Sequence, residues 1–457
     1  MLISCKTSKQ IFVEINGLKY VSVKSFGAEG DGNTDDVNAI QNAINKSSYL
    51  YFPPGKYILG HAQYNGTNNP FALLISTKSK CRNIYFEKGS ELFFKDHFGR
   101  PNEKYCAILV LTDSKSINEL ILSGINISAN KGKQEAIVSG IQAIESTGNI
   151  KKLTIENANI KNLTGGGINT FALHTTLKNV RTENLGGHGI GAANPYHLNQ
   201  EHYLYIDQYT SLNDEAYSID FSGAPDGEGG KFAKAGDVWT GNVKNVTSIN
   251  SKFGIKTAGH WNLTMDSVYI EASAHNGFSL SKDAPGRTVT ISNMTVKDCK
   301  DSGVFLAGKS NFVGSNIVIE NCRSGLYVDD TSVKVKGLIV DGKGKNSIGI
   351  RVQGNAEISD FKVTGLEADY PVWVTGKNVS FKNGTIYNNE GPYSFLVHED
   401  ADNVQLEDIN FYDDRKRPKQ IYGYMILQKK GNISIRYTNR DARKPQIENR
   451  SGILIRN

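Results

Sequence analysis

Gly140-Ile141-Gln142-Ala143, Gly167-Ile168-Asn169-Thr170, Gly189-Ile190-Gly191-Ala192 and Ser218-Ile219-Asp220-Phe221 share one pattern: a small residue, then an aliphatic one, then a variable one. The series continues through Gly254-Ile255-Lys256-Thr257, Gly277-Phe278-Ser279-Leu280, Gly303-Val304-Phe305-Leu306, Gly325-Leu326-Tyr327-Val328, Gly349-Ile350-Arg351-Val352 and Pro371-Val372-Trp373-Val374. Between about Ile117 and Val404 each such stretch is preceded by a second strand-like segment with an Asn-rich turn, such as Leu153-Thr154-Ile155-Glu156-Asn157-Ala158. The repeat is roughly 20 to 36 residues long. Short strands with period-2 alternation, recurring at one coil length between Gly and Asn turns, are what a parallel β-helix requires. A single coil cannot bury its own inner face, so the coils must stack. No repeat carries a helical stripe, and propeller blades need a period of about 40 residues with four strands. The fold expected is an all-β parallel solenoid.

Aligning the strands turns this period into a map of the surface, because successive rungs lie about 4.8 Å apart. With Ile168, Ile190, Ile219, Ile255 and Phe278 facing inward, the next outward column reads Asn169, Gly191, Asp220, Lys256, Ser279, Phe305, Tyr327, Arg351 and Trp373. Asp220 and Lys256 are therefore expected side by side and exposed, with His188 on the rung beneath Asp220. Such an ion pair alone is worth about 0.2 to 1 kcal/mol. Titratable groups of both signs converging among small residues also mark a candidate catalytic cleft. Glycoside hydrolysis needs a carboxyl that protonates the leaving oxygen and a second carboxylate. Asp220 beside a cation suits the base, and Asp214 or Glu215 the acid, although both also read as solvated turn residues. Lys256, His260, Trp261, Arg287 and Asn169 are the candidate substrate-binding residues. β-Elimination on a uronate is the second chemistry, with Lys256, His260 or His275 as base and Arg287 as neutraliser; a neighbouring Asp220 pushes Lys256 the wrong way for a base.

One helix is expected. Thr34-Asp35-Asp36 ahead of Ala39, Ile40, Ala43 and Ile44 reads as a capped amphipathic helix closing the solenoid's open end. Around it, Phe26-Gly27-Ala28-Glu29-Gly30-Asp31-Gly32-Asn33-Thr34-Asp35-Asp36, Ala39-Ile40-Gln41 and Pro53-Pro54-Gly55-Lys56-Tyr57 resemble the N-terminal signature of the pectate-lyase-like right-handed β-helix proteins. That resemblance implies a right-handed parallel β-helix and a carbohydrate-active protein. Gly187-His188-Gly189 and Ile255-Lys256-Thr257 are further similar to motifs of the polygalacturonases, glycoside hydrolase family 28, in which the His supports the acid and the Lys contacts a substrate carboxylate. No Asp-Asp pair precedes His188, Asn169-Thr170-Phe171 stands where that family has Asn-Thr-Asp, and position 254 is Gly rather than Arg. The family's catalytic aspartates therefore do not transfer.

The remaining features bound the partners. The 457 residues carry 52 Lys and Arg against 46 Asp and Glu, a net +6 that favours an anionic glycan. No basic helix or aromatic-interleaved motif indicates nucleic acid. No apolar run is long enough for a transmembrane helix. Five cysteines without a C-x-x-C pair argue against a disulfide scaffold or structural zinc, and no metal site is assigned. Cys299 and Cys322 are expected to stack in the core. Leu2-Ile3-Ser4-Cys5 resembles the end of a bacterial lipoprotein signal, which implies a secreted or cell-surface protein lipidated at Cys5. The segment Ser222 to Val238, rich in Gly with Asp226, Glu228 and Asp237, breaks the period and is expected as a loop; no cofactor is required, and Ca²⁺ is the ion its acids would suit. The expected organisation is a leader at 1–19, a catalytic β-helix at 20–403 and a C-terminal cap at 404–457. A polysaccharide-degrading monomer is expected, with a non-catalytic glycan-binding solenoid or a trimeric tailspike-type depolymerase as alternatives.

Overall fold

The computed structural model describes residues 10–64, 70–144, 148–192, 201–221, 239–258, 261–281, 286–344, 348–420, 422–429, 431–436 and the backbone of 446–449. Cys5, His260 and the segment 222–238 lie outside the described residues. The described chain forms two compact units, one running to residue 221 and including 239–240, the other from 241 onward.

Both units are stacks of parallel coils. In the first, strands Ile137–Ile144, Ile168–Thr170, Ile190–Ala192 and Tyr217–Phe221 pair so that Ile141, Ile168, Ile190 and Ile219 occupy one position on successive coils. All four are essentially removed from solvent. Each such side chain contributes about 1.5–3 kcal/mol by burial, which explains why the aliphatic position repeats so strictly. Strands Lys152–Lys161, His174–Glu183 and His202–Leu212 form a second parallel face of the same unit. The N-terminal hairpin Phe12–Ile15 with Leu18–Ser22 is antiparallel.

The second unit repeats the plan. Ile255, Phe278, Val304, Leu326, Ile350, Val372 and Phe395 stack through seven coils, buried throughout. Cys299 and Cys322, 23 residues apart, lie on neighbouring coils, with the Cys299 N–H donating to Cys322 Sγ at 3.4 Å. The sequence period fades past Asn403, yet coil pairing continues: Asp402–Tyr412 pairs with Ile433–Arg436, and Tyr393–Val397 with Tyr422–Ile426. A polar clamp lies in this region. Arg415 Nε donates to Asp413 Oδ1 at 2.7 Å, and the Lys419 and Gln420 N–H groups donate to Oδ2 at 2.9 and 3.1 Å. Burial alone would raise the Asp413 pKa; these donors, Arg415 first, hold it well below the usual carboxylate range.

The Asn-rich turns have a direct cause. Long strands bend where one residue adopts the left-handed conformation, as at Asn157 (φ 54°), Asn179 (φ 50°), Asn293 (φ 54°) and Asn316 (φ 53°), a region Asn tolerates better than most side chains. Their amides then ladder along the stack: Asn179 Nδ2 to Asn157 Oδ1 at 2.8 Å in the first unit, Asn316 Nδ2 to Asn293 Oδ1 at 3.1 Å in the second. Glycine before the short strand serves close approach instead. A Cβ at Gly167 would sit 2.5 Å from the Gly189 carbonyl oxygen.

The expected helix is Val37–Lys46, burying Val37, Ile40, Ala43 and Ile44. Its two aspartates divide the work differently from a simple cap. Asp35 Oδ1 accepts from the Val37 N–H at 3.2 Å and from Gly60 N–H at 3.0 Å, whereas Asp36 turns back to accept from the Glu29 and Gly30 N–H groups at 2.6 and 3.1 Å. Neither lies in the first helical turn itself.

Candidate functional site

On the outer face of the short strands in the first unit, Gln142, Asn169, Gly191 and Asp220 occupy one column on four successive rungs. The turns 165–167 and 186–188 rise beside it, and together they enclose a groove of about 420 Å³ that also takes in Lys104. Glycine shapes this space. At Gly191 a Cβ would come within 3.1 Å of Asn169 Oδ1, so the missing side chain keeps the middle of the column open.

His188 and Asp220 meet in this groove, with Nε2 3.5 Å from Oδ2. The distance is at the outer edge of hydrogen-bond reach, as catalytic contacts often are before substrate closes them. The other ring nitrogen settles the tautomer: the Tyr217 main-chain N–H donates to His188 Nδ1 at 3.3 Å. Nδ1 must therefore accept, and in the neutral ring the proton sits on Nε2, facing the carboxylate. The Tyr217 ring lies 5.4 Å from the His188 ring, and burial together with the Asp220 charge raises the Tyr217 hydroxyl pKa. Asp220 is not the exposed residue that the column alone implies. Its side chain is 8% exposed against 43% for His188.

The two neighbouring acids do other work. Asp214, expected in a solvated turn, is buried: Oδ2 accepts from Thr182 Oγ1 at 2.8 Å and Ser211 Oγ at 2.7 Å, and Oδ1 from the Leu185 N–H at 3.0 Å. Burial raises its pKa despite those donors. It pins one coil to the next and does not line the groove. Glu215 is exposed and pairs with Lys131 Nζ at 2.8 Å, also away from the lining.

Lys256, Trp261 and Arg287 belong to the second unit. Lys256 faces outward beside Ser279 of the next coil. Trp261 is only 6% exposed, which leaves little ring face for a sugar. Arg287 is half-buried, and its carbonyl accepts from the Asn311 N–H at 2.7 Å. Among the sequence-derived candidates the structure thus brings together Asn169, His188 and Asp220. Lys104, Gln142 and the Tyr217 N–H are additions; Gln142 was visible in the column of variable residues, whereas nothing in the sequence points to Lys104 or to a main-chain donor.

Size alone does not choose the site. A larger groove, about 730 Å³, lies on the second unit, lined by Asn311, Asn355 and Asn378 with a Lys334–Glu357 pair at 3.1 Å, and contains no histidine among its described residues.

Comparison with known proteins agrees with the parallel β-helix fold. A right-handed β-helix region is matched over residues 227–337. A probable glucan endo-1,3-beta-glucosidase of Arthroderma benhamiae is 40% identical over 55 residues, 11% of this chain and only 6% of that protein's length. Among solved structures, the A-module of a mannuronan C-5 epimerase of Azotobacter vinelandii aligns at 16% identity over 88% of this chain and 98% of its own, with TM-score 0.39. A family 28 exopolygalacturonase of Yersinia enterocolitica aligns at 11% identity over 94% and 81%, with TM-score 0.43. The decisive match is the rhamnogalacturonase A/epimerase, pectate-lyase-like model, which covers residues 20–279. With more than half of its length matched, including the whole described groove, the chain belongs to the rhamnogalacturonase A/epimerase, pectate-lyase-like family.

Proposed function

We propose that the chain is a glycoside hydrolase that cleaves an anionic polysaccharide lying in the groove of the first unit. The observation that carries this reading is a nearly buried carboxyl, Asp220, facing the Nε2–H of His188 inside an open groove. In hydrolysis the Asp220 carboxyl protonates the leaving glycosidic oxygen as its bond to the anomeric carbon breaks, a water adds to that carbon and releases its proton to solvent, and the His188 N–H steadies the Asp220 carboxylate until it is reprotonated. This exchanges the base role expected from the sequence for the acid role, because Asp214 is committed to the coil interior and Glu215 to Lys131. Gln142 and Asn169 supply amide contacts for sugar hydroxyls, and Lys104 supplies the cation for an acidic residue. The protein acts outside the cytoplasm as a monomer.

A second reading, elimination or epimerisation at a uronate, is favoured by one fact: Asp220 is the only carboxyl group among the described lining residues. Proton abstraction needs one base, whereas hydrolysis by two carboxyls needs a second. Hydrolysis still ranks first because abstraction next to a carboxylate builds up charge that a single exposed lysine must neutralise. Incubation with a panel of anionic polysaccharides separates the two. New reducing ends without ultraviolet absorbance support hydrolysis, and absorbance from unsaturated uronates supports elimination. An Asp220→Asn protein with unchanged turnover rejects both.

A further inference from the structure

On the short-strand face of the second unit, the outward column runs Lys256, Ser279, Phe305, Tyr327, Arg351, Trp373 on six successive rungs. Arg351 is held between two rings. Its Cζ lies over the Tyr327 ring and over the Trp373 ring, 5.0 Å from each centroid. The Tyr327 ring packs on Phe305 at 5.2 Å, and its hydroxyl donates to Gln353 Oε1 at 2.5 Å, so the lower face of the sandwich is fixed. Among the described residues no ion pair or hydrogen bond engages the Arg351 side chain, and its Nε is covered without a partner.

On the long-strand face of this unit several cations are answered by acids one rung away: Lys297–Glu320 at 3.0 Å, Lys334–Glu357 at 3.1 Å, Lys382–Glu407 at 3.5 Å. Arg351 instead has a ring above and a ring below. Aromatic faces attract the cation but accept no in-plane hydrogen bond, so the outer fork of the guanidinium is left to a ligand. A guanidinium shielded on both faces is poorly hydrated, which strengthens a bidentate contact with a carboxylate.

We propose that Arg351 docks the carboxylate of an acidic sugar in a glycan chain, with Tyr327 and Trp373 bracketing it. A single cation in a row of rings matches a ligand with one charge per ring and apolar C–H faces between charges. A nucleic acid, with a charge on every phosphate, calls for a row of cations that this column lacks. The site binds and does no chemistry.

The test is calorimetric titration with oligogalacturonate and with its neutral methyl ester, in an Asp220→Asn background so that turnover does not interfere. Arg351→Gln added to that background is expected to lower affinity for oligogalacturonate about tenfold, and Arg351→Lys to restore only part of it, because charge returns without the fork. In the unsubstituted protein the Trp373 indole N–H resonance, assigned with Trp373→Phe, is expected to shift with oligogalacturonate and to stay fixed with the methyl ester. This second readout stands even if Arg351→Gln fails to fold. The proposal is overturned by a silent Trp373 resonance, by equal binding of the ester, by unchanged affinity in Arg351→Gln, or by inorganic sulfate or free galacturonic acid binding as tightly as the oligomer. A protein that never cleaves a glycan leaves the outcome intact, since binding is measured without turnover.

Discussion

The two short-strand faces share a backbone address and hold opposite chemistry. In the first unit the outward column is Gln142, Asn169, Gly191, Asp220: small, polar, with a carboxylate nearly out of water beside a histidine. In the second it is Phe305, Tyr327, Arg351, Trp373: wide, aromatic, with a cation held between two rings. Each column follows, one residue later, a buried apolar stack of its own unit. The inward position is constrained by packing and can hardly vary, whereas the outward one is free to specialise rung by rung. In a solenoid, function is therefore written in the residues that the repeat does not fix.

The contrast breaks most sharply at Asp220. If the first column is the reacting one, Asp220→Asn lowers turnover about 10²- to 10⁴-fold in a reducing-end assay while thermal unfolding stays close to wild type. Loss of activity of that size from Arg351→Gln would erase the distinction between a reacting and a docking column. Next in size is Asp214→Ala, which removes the carboxylate that accepts from the Thr182 and Ser211 hydroxyls and the Leu185 N–H. It is expected to cost roughly 2–4 kcal/mol in denaturant unfolding, several-fold more than any change at Glu215.

Asp413→Asn tests the second unit by pH. The native pKa of Asp413 is depressed from the ordinary 3.8, so its stabilisation is complete above that value and is lost as pH falls below it toward the native pKa. The variant is expected to be about 1–3 kcal/mol less stable than wild type at pH 7, with the gap closing as unfolding is followed below about pH 4. The smallest effect is Glu215→Gln. An exposed pair with Lys131 is worth at most about 1 kcal/mol, and the side chain does not line the groove, so activity and stability should both stay near wild type.

What the sequence disclosed follows the same division. The repeated tetrapeptides place Asp220 on the rung after Gly191 and Asn169, and the structure has that register. Cys299 and Cys322, in matching contexts, stack as expected. Periodicity along the chain is a one-dimensional signal, and these are one-dimensional facts. Burial beside a turn is not. Asp220 and Asp214 read as exposed because alternation says which way a side chain leaves the strand and nothing about what closes over it. The turns 165–167 and 186–188 wall the groove through coil-to-coil contacts that no local pattern encodes. The split between Asp35 and Asp36 was hidden for the same reason, since both suit a helix start and only the packing of Gly30 and Gly60 sorts them.

The donor that orients His188 is a main-chain N–H, that of Tyr217. Side-chain replacement at position 217 changes the ring beside the histidine but leaves the N–H in place, and only proline deletes it. The proton on Nε2 is thus insulated from most single-codon change at its supporting residue. Drift among descendants of this chain can remodel the groove's walls and its preferred sugar while the imidazole goes on facing the carboxylate with the same nitrogen.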